Sequence, residues 1–220
     1  MTPATRAPWK FLEELIGWAT PEVHKPDLLE AKKAFFERTG EIFEDDRQLE
    51  LRMASFLEHY VCDRPAAHLA GRTPARARYE EALRNETPER AAAFRPFTET
   101  VHGLFEVRRM SPSEVRLRGL FSGIDYDVAE RRQLVGLEVG DVLECRLIPF
   151  AGLLHFSSAW CFHPHEAAGL IRAEARRRLE TSDKASEQEL IDDCAQRSLK
   201  VERYRQIAVE KIYDFTGRAI

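Results

Sequence analysis

The sequence predicts an α+β protein in three parts: an amino-terminal helical unit over residues 1–96, a small five-stranded antiparallel barrel-like sheet over 97–163, and carboxy-terminal helices over 164–220. Three observations carry this. Apolar residues recur at helical spacing until about Phe97, alternation takes over as far as Phe162, and helical spacing resumes after Pro164. The three units are expected to pack as one compact fold, because the aromatic content of the sheet exceeds what so small a barrel can enclose.

In the first unit, three of the Thr-Pro pairs place a capping hydroxyl before a proline suited to the first helical turn: Thr20-Pro21, Thr73-Pro74 and Thr87-Pro88. Trp9, Leu12, Leu15 and Ile16 define a first helix. Leu28, Leu29, Ala31, Phe35 and Phe36 define a second that stops at Gly40. Leu49, Met53, Phe56, Leu57 and Tyr60 form one apolar stripe on a third, with Glu50, Arg52 and Glu58 off it, so this helix should be central to packing. A loop with Pro65 and Gly71 leads to a fourth helix from Pro74 to about Asn85.

Strands follow over Leu104 to Arg109, Val115 to Leu120, Ile124 to Val128, Val142 to Ile148 and Leu153 to Phe162. Turns at Ser111-Pro112-Ser113, Ser122-Gly123, Gly140-Asp141 and Ala151-Gly152 separate them. Their number and size suit a small barrel of the OB-like or SH3-like kind, an analogy of fold that carries no function. Beyond Pro164 a helix runs to about Leu179. A second opens on the capping box Ser186/Glu189 and continues to about Phe215, roughly 45 Å at 1.5 Å per residue.

Composition sets the class. The chain has 220 residues, 44% of them apolar, enough for a core without disulfides or metal. Charged residues make up 32%, yet the net charge is only -4, so there is no global basic excess to draw nucleic acid or anionic lipid. No apolar run is framed like a signal peptide or is long enough to cross a bilayer, and Cys62, Cys145, Cys161 and Cys194 form no CxxC pair. A cytoplasmic protein with reduced, buried thiols is expected.

The stretch 150–166 holds the one concentration of metal-ligand residue types: His155, Cys161, His163 and His165. Strand alternation puts His155, Cys161 and His163 on one face, but Pro164 turns His165 away and Cys-x-His-x-His is not an established ligand spacing, so a strand end with backbone-bonded histidines is favoured over a zinc site. No cofactor is expected. Glu58-His59 diverge by about 100° on a helix and read as surface residues, and the acidic run Glu41, Glu44, Asp45 and Asp46 reads as helix-start chemistry. Arginines in the strand region, Arg108, Arg109, Arg116, Arg118, Arg131, Arg132 and Arg146, invite a nucleic-acid reading. Against it, alternation sets them opposite acids on what would be a solvated, self-compensating face that also includes Glu144.

Phosphate loops, nucleophile elbows and zinc-protease motifs are missing. The expectation is therefore a non-enzymatic interaction or regulatory protein, with no membrane role. It would meet a protein partner or a second copy of itself through the last helix at Val201, Tyr204, Ala208 and Ile212. The alternatives are a nucleic-acid-binding barrel and a metal-dependent enzyme centred on Cys161 and His163.

Overall fold

The computed structural model describes residues 8–130, 134, 136–180 and 185–217, and for 185 and 186 the backbone alone. Arg131, Arg132 and the Ser186 half of the expected capping box lie outside the described side chains. The protein is α+β, with eight α-helices among the described residues and a closed barrel-like sheet.

The first helices are α1 (Pro8–Ala19), α2 (Lys25–Thr39), α3 (Leu49–Cys62), α4 (Pro74–Asn85) and α5 (Pro88–Phe94). Thr73 and Thr87 cap α4 and α5 by accepting from the backbone amides of Arg76 and Arg90. Thr20 does not follow the pattern. Its hydroxyl donates back to the Ile16 carbonyl, and Pro21 leads only into the 3-10 turn Glu22–His24 before α2 begins. Gly40 ends α2 at φ 97°, and any Cβ there would stand 3.0 Å from Leu199 Cδ1, so the residue serves both the turn and the close approach of the last long helix.

The strands are β1 (Val101–Met110), β2 (Glu114–Gly119), β3 (Asp125–Ala129), β4 (Val142–Phe150), β5 (Leu153–Phe156) and β6 (Cys161–Phe162). Five close a ring in the order β1-β2-β3-β5-β4-β1, and β6 pairs with β4 beyond β5. The sheet is mixed, not purely antiparallel as expected, because β3 and β5 pair in parallel at Val128 and Leu154. Topology demands this. Strand direction can alternate around a closed ring only if the number of strands is even, so a five-stranded ring must contain one parallel pair.

The last expected strand is also broken. Residues 157–160 leave the ladder between β5 and β6, since Glu58 of α3 captures the backbone there, accepting from the Ala159 amide at 3.2 Å and the Ser158 hydroxyl at 3.3 Å. The ladder is therefore interrupted, but the aromatic side expected of 154–162 persists, with Leu154, Phe156 and Trp160 on the barrel cluster and the Phe162 ring 5.1 Å from that of Trp160. Trp160 packs on the barrel cluster, against Phe156, and Phe162 is largely exposed.

Helix α6 (His165–Glu180) and α7 (Ala185–Arg203) follow, then α8 (Val209–Ile212). The expected helix to Phe215 stops at Arg203. The chain turns at 204–208 and brings α8 back onto α6 and α7, burying Ile212 and Tyr213.

Three apolar clusters result. Phe105, Val107, Leu117, Leu143 and Leu147 fill the barrel. Ile148 and Phe150 join the amino-terminal helices, and Leu104 and Val142 join α6, α7 and α8. Strand β4 is thus covered on both faces. Its inward side chains line the barrel, and its outward ones, Val142, Glu144, Arg146 and Ile148, meet helices.

Candidate functional site

The outward face of β4 concentrates the ionisable chemistry of the molecule. Glu144 and Arg146, expected on a solvated face, are buried because helices cover that side of the barrel. Arg146 donates to both carboxylate oxygens of Asp63, at the end of α3, and to the Thr100 hydroxyl at 2.8 Å. Its Nε lies 3.5 Å from Glu58 Oε2. Glu58 is correspondingly buried, not on the surface. Burial pushes its carboxyl above the usual range despite the Arg146 charge and the bonds from the 157–159 segment. Asp63 moves the other way: burial would raise it, but hydrogen bonds from His59 and Arg146 outweigh that and hold it well below the usual range.

Glu144 faces the other half of the interface. Its Oε1 is 3.2 Å from His102 Nε2 on β1, while Oε2 has no hydrogen-bond partner among the described residues. Burial alone would raise this carboxyl; His102 and the nearby Arg52 bring it below its ordinary value. Arg52, also expected off the packed side of α3, is buried and donates to the Thr39 carbonyl at 2.8 Å. Glu58, Arg52, Glu144 and Arg146 sit between the helical units and the barrel, where burial keeps water from serving them, so each looks to a partner on another element, while Asp63 keeps some exposure to solvent.

The four metal-ligand candidates do not converge. His155 lies on β5 opposite Ile148. Cys161 is buried with its sulfur 3.4 Å from the Ser198 hydroxyl, and burial pushes its thiol up to about 11. His163 is fully enclosed; its Nδ1 lies 3.0 Å from the Tyr213 hydroxyl, its Nε2 has no partner among the described residues, and burial lowers its pKa to about 4, so the ring is neutral. His165 points to solvent, with Nδ1 2.6 Å from Asp141, whose hydrogen bond and then charge raise its pKa. Among the described residues no three His, Cys, Asp or Glu side chains are placed to hold one ion.

The four residues expected to bind a partner divide in the same way. Ile212 is buried, Val201 packs partly on the same cluster, and Ala208 and Tyr204 are exposed. Because α7 ends at Arg203, they do not share one helical face. Their surroundings reveal an apolar rim that the sequence did not flag. Arg203 bonds to Asp46 and to the Glu41 carbonyl and lies 4.8 Å from the centre of the Phe43 ring. Glu41 also closes a groove of about 260 Å³ lined by Leu29, Lys32, Lys33, Phe36 and Glu37 of α2. Nothing in the spacing of Phe43, inside an acidic loop, signals this; only the docking of α7 against that loop brings Phe43 to the Arg203 guanidinium, next in sequence to the exposed Tyr204.

The outer face of β2 and β3 is self-paired. Arg116 binds Asp127 through two bonds of 2.6 and 2.7 Å, and Arg118 sits 3.6 Å from Asp125, each pair directly opposed in the strand register. No helix among the described residues is long and apolar enough to cross a membrane. Scans of family models, of curated proteins and of solved structures returned no match.

Proposed function

We propose that this chain is a non-enzymatic cytoplasmic interaction or regulatory protein that docks a protein partner at the rim where α7 meets α2 and the 41–46 loop. The observation that carries the reading is the exposure of three large apolar side chains where these elements meet: Leu29 at 55%, lining the α2 groove, Phe43 at 53%, against the Arg203 guanidinium, and Tyr204 at 47%, just past the end of α7. A rim of aromatic and aliphatic groups interleaved with Lys32, Lys33, Glu37 and Arg203 has the composition of a recognition surface more than of ordinary solvated helix.

The ionisable groups support binding over catalysis. Buried thiols are held protonated, the neutral His163 ring is enclosed, and the acids and bases on β4 are committed to one another across the interface. Charge pairing on β2 and β3 speaks against a nucleic-acid surface there, since each arginine already has its counter-charge. The scatter of His155, Cys161, His163 and His165 speaks against a metal-dependent enzyme centred on them.

A photo-cross-linking residue in place of Tyr204, in cells, tests the reading. A discrete protein adduct is expected, lost when Phe43→Glu is added and not formed when the cross-linker replaces Arg84, exposed at the end of α4. No adduct at 204, or the same adducts at 204 and 84, would overturn it. An adduct of twice the chain mass identifies the partner as a second copy.

A further inference from the structure

We propose that the stacked pair His24 and His68 is an acid-sensitive latch, holding the tip of the 66–72 loop against the start of α2 at neutral pH and releasing it under mildly acid conditions. The two rings lie face to face, with centroids 3.9 Å apart and planes inclined by 21°. His24 immediately precedes α2, and His68 occupies the 3-10 turn Ala67–Leu69 of the loop. Two neutral imidazoles stack favourably at this distance, whereas two imidazolium ions repel.

The surroundings leave little to offset that repulsion. Among the described residues the carboxylate facing the stack is Asp27 of α2, and it is already committed: Tyr60 of α3 supplies its hydroxyl at 2.8 Å and Arg64, just past that helix, binds it through two bonds at 2.9 and 3.0 Å. His68 Nδ1 stands 4.0 Å from that carboxylate, outside hydrogen-bond range, and the Arg64 charge opposes a second cation beside it. In the turn before α2, Glu22 and Lys25 pair with each other at 2.8 Å. A charged His24 would also sit at the positive end of the α2 dipole.

Burial first, then the His24 charge, lowers the pKa of His68 below its ordinary 6.5, with Asp27 opposing more weakly. The sign follows. A histidine whose folded pKa lies below its unfolded value favours folding fully above pH 6.5, and that contribution falls as pH drops through 6.5 toward the folded value. Release is hinged, because the far end of the loop is anchored apart from the histidines: Ala66 is buried and bridged to Arg72, which holds Glu80 of α4 at 2.8 Å. The tip, residues 67–71, is tied to that anchor by the Leu69 and Gly71 amides, which donate to the Ala66 carbonyl, and by Arg72 Nε, which donates to the Leu69 carbonyl at 2.8 Å, so lifting the tip opens these bonds.

Hydrogen exchange on the full chain tests the latch through the Ala70 and Gly71 amides, which bond within the loop. After correction for intrinsic rates, protection of these amides is expected to fall severalfold between pH 7.5 and 5.5. In His68→Phe, which keeps a stacking ring that cannot titrate, protection should stay level. A wild-type protein with level protection, or an equal fall in His68→Phe, would sink the proposal. NMR titration gives an independent check, since His24→Phe should raise the pKa of His68; an unchanged value means that the two rings do not communicate.

Discussion

Replacing Arg146 by Met retains most of the side-chain volume and removes the guanidinium on which the helix-to-barrel interface converges. Three things are lost at once: two charge-assisted bonds to Asp63, the bond to Thr100, and the counter-charge of the enclosed Glu58. The acids left behind respond differently. Asp63 is a third exposed and can recover some hydration, while Glu58 is almost wholly enclosed and can escape its charge only by taking up a proton, toward which burial already pushes it. Breaking one side of a buried ion pair costs about 3–5 kcal/mol, and these two escapes place the loss inside that range instead of above it. For a chain of this size that is roughly 6–20 °C in Tm.

Urea unfolding followed by circular dichroism reads the loss directly, provided the m value stays constant. Adding Glu58→Gln to the Arg146→Met protein should then restore part of it, with a coupling of about 1 kcal/mol or more, because the stranded carboxylate is gone. A single-mutant loss below about 1 kcal/mol, or strict additivity in the double mutant, would show that Arg146 does not hold the helices to the barrel.

Two further predictions follow from the same interiors. Tyr213→Phe removes the partner of His163 Nδ1 in a pocket where Nε2 already has none among the described residues, so unfolding stability should drop by about 1–3 kcal/mol, and a neutral result would mean that water reaches the ring. The four thiols are held protonated by burial, Cys62 at about 12, Cys161 at about 11, and Cys145 and Cys194 well above the ordinary value. A thiolate-seeking disulfide reagent should therefore label the native chain far more slowly than the denatured one, and rapid native labelling of any thiol would refute that burial.

Periodicity in the sequence determined the succession of helices, strands and helices, the caps at Thr73 and Thr87, and the stop at Gly40, because these depend on neighbours within a few residues. It also placed Arg116 and Arg118 on an outward face where acids could lie opposite them, and the strand register then supplied Asp127 and Asp125 as the partners. What lay beyond it depends on contacts between distant segments. Alternation marks two faces of β4 but cannot say that helices cover the outer one, so Glu144 and Arg146 read as solvated, and the stripe on α3 left out Arg52 and Glu58 although both are buried. The end of α7 was invisible for a related reason: Ile212 and Tyr213 continue an apolar pattern, and only the hydrophobic gain of folding them back onto α6 and α7 makes the chain turn at 204–208. The parallel closure of the barrel was decided by the ring itself, since a five-stranded circle requires one parallel pair whatever residues line it.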